Sequence, residues 1–356
     1  MRRLLFILLA CIAVAAQAQP YPSKPIRLVI PWPAGGPSDI LGRAFGDRLA
    51  KVLGQPMVVD NRSGASGAIG ADFVAHAAPD GYTVMVQSMT NQLMLPLTVK
   101  NLGFDVVADF EMITQIVPSP MIIVAHPSLP AASMADLVAL AREKPGALTI
   151  ASFGQGSASH LAIELLMKLG AVKVNHIPYK GGAPATADVV AGHVQAGVVG
   201  LPVALPFIKQ GRLRALGITT AARAPQVPET PSVRETPGLE AYDIGLMYGF
   251  LAPPKTPRPI IQRLHAAALE VLKSAEFREK LVELGLGAPV GNSPAEMVAA
   301  TASAGLLPTG APRPSSTNLS RNSALFSTSS AAPCKRWMIG RGVFGGASKA
   351  YMRPMS

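Results

Sequence analysis

The sequence predicts an α/β fold of mixed, mainly parallel sheets with flanking helices, arranged in two lobes. Strand-like and helix-like segments alternate over most of the 356 residues, a length sufficient for two domains of ordinary size. One arrangement occurs twice: an apolar strand, a turn of small residues, then the first turn of a helix. It spans Ile26–Ile40 and again Leu148–Leu169. Two further apolar stretches, Ile113–Ala125 and Tyr242–Leu251, read as crossings between lobes. Two crossings imply one domain built from both ends of the chain and another inserted between them: 19–118 with 246–300, and 119–245. The cleft between them is then the default ligand site.

The elements follow in order. Ile26–Ile30 is a strand. Ser38 is a plausible N-cap, and Ile40, Leu41, Ala44, Phe45, Leu49 and Val52 share one helical face until Gly54 stops the helix. Met57–Val59 is a strand, Gly64–Ala77 a glycine-rich turn that becomes a helix, and Asp80-Gly81 a turn into strand Thr83–Gln87. Pro118-Ser119-Pro120 interrupts the long apolar run, where a central strand is not expected to accept it. Ser133–Arg142 is a short helix. Lys173–Ile177 is a strand, Pro184–Ala191 a helix, Gln195–Val199 a strand, Pro202–Gln210 a helix and Leu213–Thr219 a strand. Residues 223–239 are a surface connection, and Pro259–Lys273 and Ala275–Leu284 are helices.

The charge of +11 is concentrated at the ends. Seven Lys/Arg and no Asp/Glu lie in 301–356, and Arg2-Arg3 add two more, leaving +2 for the body. A near-neutral body lacks the basic face that displaces counterions, so no nucleic-acid partner is expected. Arg2-Arg3, the apolar run Leu4–Ala16 and Ala16-Gln17-Ala18 form an export signal over 1–18, cleaved before Gln19. Leu8-Leu9-Ala10-Cys11 loosely matches a lipoprotein signal, but the apolar run continues past Cys11. Cleavage leaves Cys334 as the only cysteine, so no intrachain disulfide forms. The expected location is the periplasm. Ser293-Pro294-Ala295-Glu296 is a capping box that announces a helix, yet Gly305 breaks it and the chain then loses all amphipathic period. The reading is a lost coding frame near residue 300, which makes 301–356 an aberrant, disordered tail and puts function itself in question. The alternative is a natural tail of low apolar content.

Several segments together resemble the receptor component of tripartite tricarboxylate transporters, the Bug family. They are Tyr21–Ile26, Pro31–Asp39, Val59–Arg62, Gly67–Ala71, Ala78–Thr83, His126–Leu129, Gly154–Ser157, His160–Ala162, Pro178–Pro184 and Gly211–Leu216. The likeness runs from about residue 20 to about residue 298. It implies a two-lobed Venus-flytrap binding protein of type II that captures a small carboxylate and passes it to membrane permease subunits. A monomer without cofactor or metal is expected. In the family the carboxylate is held largely by backbone groups and waters of the first loop in each domain, here Pro33–Asp39 and Ser152–Ser159. The chain departs from the family at Gly200-Leu201-Pro202, where a polar residue is usual, and in lacking the terminal amphipathic helix.

Residue chemistry points to the same loops. Helix N-termini carry unpaired N–H groups and partial positive charge, so they attract anions. The first candidate is Pro33, Ala34, Gly35, Gly36, Ser38 and Asp39, where glycines admit a ligand close to the backbone. The bland alternative is a tight turn with Ser38 as a cap. Asp39 would repel a carboxylate and reads as a dipole partner or an acceptor for a ligand amine. The second candidate is Ser152, Gly154, Gly156, Ser157 and Ser159; the serines offer hydroxyls or serve as caps. The third is Tyr179, Lys180 and Gly181, in the loop that runs on through Gly182 and Ala183, with Lys180 facing either a distal ligand charge or solvent. Ser88, with Gln87 and Asn91, lines the cleft or is ordinary loop polarity, and Trp32 or Tyr179 stacks on an aromatic ligand or packs internally.

Two other readings stand beside capture for transport. One is a ligand sensor docking on a membrane receptor kinase. The other is a serine hydrolase using Ser157 and His160, for which no nucleophile elbow is present. Gly64, Gly67 and Gly70 lack the dinucleotide spacing, and the histidines show no zinc spacing.

Overall fold

Strand β1 (Ile26–Ile30) is buried at every position but one, as a central parallel strand covered on both faces must be. The computed structural model to which it belongs describes residues 21–293 and 296. Helix α1 (Pro37–Leu53) follows, its Leu41, Phe45 and Leu49 buried on the sheet and its end closed by Gly54 in the left-handed conformation. Its N-cap is Gly36 and Pro37 opens the helix, so the expected cap at Ser38 is corrected: Ser38 lies one residue inside. Next come β2 (Met57–Asn61), α2 (Ala68–Ala75), β3 (Thr83–Ser88) and α3 (Met89–Thr98). The sequence reading missed α3, since Pro96 and a Met/Gln-rich composition blur its period; Ser88 caps it by accepting the Asn91 N–H at 3.3 Å.

Strand β4 (Glu111–Ala125) carries the organisation of the fold. The second half then adds α4 (Met134–Glu143), β5 (Thr149–Ser152), α5 (Ala158–Gly170), β6 (Asn175–Pro178), α6 (Gly182–Val190), β7 (Ala196–Gly200), α7 (Leu201–Lys209) and β8 (Arg214–Ile218). The chain returns through β9 (Gly245–Ala252) to α8 (Arg258–Lys273) and α9 (Ala275–Glu283). Strand order is β2-β1-β3-β9-β4-β7-β5-β6, with β8 also on β4. The outer ladders of each half are parallel. Antiparallel ladders are confined to β4 and β9 where they cross.

Residues Glu111–Pro120 of β4 pair with β9, and Met121–Ala125 pair with β7 and β8. The partner change falls at the proline pair. Pro118 and Pro120 nevertheless sit inside a central strand, opposite Met247 and Gly245, which corrects the expectation that such a strand excludes them. The reason is local. The other edge of this stretch faces residues 287–291, whose N–H groups donate to the carbonyls of Pro118, Ile116 and Gln115 at 2.9–3.0 Å. That edge calls for acceptors from β4, and proline keeps its carbonyl.

Phe45 anchors α1 to both β9 and α9. It is fully buried, with ring centroids 5.5 Å from Phe250 and 5.9 Å from Phe277. Phe45→Ala is expected to cost about 3–5 kcal/mol, read from denaturant midpoints; a loss below about 1 kcal/mol would show that this cluster repacks freely. The capping box at Ser293 forms, with the Ser293 N–H donating to Glu296 at 2.7 Å and the Glu296 N–H to Ser293 Oγ at 3.2 Å. The export signal at 1–18, Cys11, Cys334 and the tail at 301–356 lie outside the described residues.

Candidate functional site

The first loop is braced from within. Asp39 is buried; its Oδ2 accepts the Gly35 N–H and Arg43 Nε, both at 2.9 Å, and its Oδ1 accepts Asn61 Nδ2 at 2.9 Å. Burial alone would raise this carboxyl, but the hydrogen bonds from Arg43, Gly35 and Asn61 outweigh it and hold it below the ordinary carboxylate value. Asp39 therefore serves the loop, and its charge is neutralised by Arg43. Gly35 takes φ +76°, a left-handed turn that suits glycine. Gly36 donates to the Pro33 carbonyl at 3.3 Å. The N–H groups of Ser38 and Asp39, in the first turn of α1, find no acceptor among the described residues.

The second loop is arranged differently. Its N–H groups are largely spent: Phe153 donates to Ser159 Oγ (2.8 Å), Gly154 to Ser152 Oγ (3.1 Å) and Gly156 to His160 Nδ1 (3.1 Å). The Ser157 N–H goes to the Gly154 carbonyl, and Ser157 Oγ caps α5 by accepting the His160 N–H at 3.3 Å. Ala158 donates across to Asn91 Oδ1 on α3 at 2.8 Å. Ser157 and Ser159 are thus capping and bracing groups. His160 turns to Glu164, 3.3 Å away, so no bond joins its ring to Ser157 and the nucleophile–base pair of a hydrolase is not assembled.

A small titratable cluster underlies this loop. The rings of His160 and His176 stack at 4.1 Å, and Ser152 Oγ shares a 2.6 Å hydrogen bond with His176 Nε2. Burial lowers the His176 imidazole to about 4, and the neighbouring His160 acts in the same direction. His160 is also lowered by burial, against the opposing carboxylate of Glu164. Between pH 6.5 and about 4 the unfolded chain binds a proton that folded His176 refuses, so stability rises with pH across that window. Acidification from neutrality should lower the melting midpoint, and His176→Gln should flatten that slope by about 2–4 °C. Identical slopes would remove His176 from the account.

The third loop meets the first. Gly181 takes φ +121°, and a Cβ there would stand 2.8 Å from Pro33 Cδ. Its N–H donates to the Phe153 carbonyl at 2.7 Å. A Cβ on Gly182 would lie 3.0 Å from Pro37, and Gly200, which caps α7, leaves no room for a side chain beside the same proline. The N-termini of α1, α6 and α7 therefore converge on Pro37. The first-turn N–H groups of Gly182 and Ala183 in α6 also lack an acceptor among the described residues. The Tyr179 hydroxyl turns away to Asp188 at 2.5 Å and is pushed up to about 12 by burial and that carboxylate. Lys180 and Ala34 are exposed.

Between these loops lies a space of about 10 Å³, room for about one water. From the first half it is lined by Trp32, Gly36, Pro37, Ser38 and Asn91, and from β9 by Leu246 and Tyr248. Phe153 and Gly182 close it from the second half. A molecule of several carbons enters only when the halves move apart. Ser66 Oγ donates to the Gln155 carbonyl at 2.5 Å and so ties the rim. Ser88 sits behind, capping α3 and donating its N–H to Gln87 Oε1 at 2.9 Å. Leu246 and Tyr248 were missed from sequence. Crossing strand β9 was recognised, but which of its alternating side chains faces the seam depends on register. A larger hollow of about 290 Å³ lies elsewhere, beside Glu229 and Ser133, the N-cap of α4. Among the described residues no group of three or more His, Cys, Asp or Glu is placed to hold a metal, and no helix is long and apolar enough to cross a membrane.

This fold, two half-sheets joined by crossing strands with helix N-termini at the seam, is that of a two-lobed binding protein. Residues 41–301 match the model of the tripartite tricarboxylate transporter family receptor, and the chain belongs to that family. It is 34% identical to protein BugT of Bordetella pertussis over 79% of this chain and 86% of that one. It is 35% identical to a protein encoded in the tcbD-tcbE intergenic region of a Pseudomonas species, over 77% and 83%. Among solved structures, Rpa4515 of R. palustris with adipate superposes with a TM-score of 0.75 at 34% identity, covering 78% of this chain and 92% of that one. MatC of Rhodopseudomonas palustris with bound malate gives 0.73 at 30% identity, covering 78% and 95%. Family and fold are those of substrate-binding proteins of the periplasm.

Proposed function

We propose that this protein captures a small carboxylate between its lobes and delivers it to the membrane permease subunits of a tripartite tricarboxylate-type transporter. One observation carries the reading: the first turns of α1 and α6 face each other across the seam with N–H groups that no acceptor among the described residues uses. Such donors bind anions. The adipate and malate held by relatives of this fold support the ligand class. The carboxylate sits between Gly36–Asp39 and Gly182–Ala183, with Pro33, Gly35 and Gly181 shaping the walls. The second loop, from Ser152 to Ser159, acts as a braced platform, and Ser88 and Tyr179 hold the loops from behind. Lobes of 19–118 with 246–300, and 119–245, close on the ligand by hinge motion; the ladder switch at Pro120/Met121 supports that division.

The signal at 1–18 exports the chain, which acts as a monomer without cofactor. The family match ends at residue 301, in keeping with a lost frame beyond it. Sequencing the locus tests this: a one-base shift should restore an amphipathic, stop-terminated helix. The function itself is tested by calorimetric titration of the folded chain with a panel of mono-, di- and tricarboxylates. A micromolar Kd, about −8 kcal/mol, is the expected scale. A folded chain that binds none of them would overturn the reading.

A further inference from the structure

We propose that the ligand is an aryl monocarboxylate, a single carboxylate on a flat apolar ring with no second charge. This rests on the carboxylate reading above and narrows it. The side chains around the central space are Trp32, Pro37, Phe153, Leu246 and Tyr248, with Ser38 and Asn91 as the polar members. None is cationic. Ser38 and Tyr248 line the space together, and Asn91 Oδ1 holds the Ala158 N–H. The free backbone donors of α1 and α6 suit one carboxylate. A second would be buried against aromatic and aliphatic surface with no counter-charge, and an unpaired buried charge is strongly disfavoured.

The nearby cations do not change this. Arg43 is engaged by Asp39 and Asn61. Lys180 is exposed and does not line the space. The aromatic pair supplies the positive argument. Trp32 belongs to the first half and Phe153 to the second, with centroids 6.5 Å apart and planes at 70°. A ring held between two aromatic faces needs about 7 Å, two contact distances of about 3.5 Å. A slight opening of the seam with rotation of Phe153 makes that slot. Trp32 is already set, since its indole Nε1 donates to buried Gln87 Oε1 at 3.0 Å.

The test is calorimetry on the folded chain with benzoate and adipate, repeated on Phe153→Leu and Lys180→Gln. Benzoate is expected to bind at least about tenfold tighter than adipate. Phe153→Leu should weaken benzoate by about tenfold while retaining a cooperative melt, and Lys180→Gln should change neither ligand. Adipate binding as tightly as benzoate, or adipate binding that collapses in Lys180→Gln, overturns the aryl monocarboxylate and leaves the carboxylate reading standing. Benzoate affinity unaltered in Phe153→Leu removes the slot. Binding of neither compound, nor of any carboxylate in the wider panel, overturns both.

Discussion

Gly36→Asp is expected to abolish carboxylate binding while leaving the fold intact or slightly more stable. Gly36 is the N-cap of α1 with φ −79° and ψ 170°, a conformation that aspartate adopts readily at this position. Its carboxylate would fold back on the N–H groups of Ser38 and Asp39, the donors now without an acceptor among the described residues. The substitution satisfies the helix internally, so it competes with the ligand for the same hydrogen bonds and adds like charge beside it. An affinity loss of at least about 100-fold, close to 3 kcal/mol, should accompany a melting midpoint that is unchanged or raised. Among the described residues the only close neighbour of the new Cβ is the Pro33 carbonyl, at 3.3 Å, so a small loop adjustment admits it. Titration with the tightest carboxylate of the panel decides the matter. Unchanged affinity in a folded variant would sever the link between this helix terminus and the ligand.

Gly181→Val should weaken binding by a similar factor for a different reason. At φ +121° an L side chain is strained, a cost of about 1–3 kcal/mol. Valine would also drive its Cβ into the Pro33 ring, where the gap is 2.8–2.9 Å. The strain is relieved by keeping the third loop away from the first, so the closed arrangement is disfavoured and the apparent affinity falls with its population. Small-angle scattering should report a larger radius of gyration than for the parent chain. Pro33→Ala in the same variant should recover part of the affinity by removing the obstacle, leaving the backbone strain. A variant that scatters and binds like the parent would show that the two loops need not touch for capture.

Much of the fold was legible because local chemistry matched tertiary placement. The run Ile26–Ile30, the face shared by Leu41, Phe45 and Leu49, and the stop at Gly54 are each specified by residues within a few positions, and each appears as read. The crossing near Pro118–Pro120 was legible as punctuation in an apolar run. Its accommodation was not, because the edge facing residues 287–291 is supplied by chain far away in sequence. Helix α3 escaped notice for lack of a clean apolar period, although Ser88 three residues before Asn91 was a usable capping signal.

For the candidate site, the sequence alone determined that strand-to-helix turns at Pro33–Asp39, Ser152–Ser159 and Tyr179–Gly181 would place helix N-termini beside small residues. That follows from glycine, proline and serine spacing, which acts through backbone dihedrals over one turn. Only the tertiary structure decided which turns meet. The first faces the third, through Pro33 and Gly181, while the second rests on Asn91 and Ser66 and spends its own donors. Whether an N–H is free depends on every acceptor within 3.5 Å, and those acceptors come from chain remote in sequence. Burial of Asp39 against Arg43 and Asn61, and the pairing of Trp32 with Phe153 across the seam, were settled in the same way, by the strand order that sets the two halves against each other.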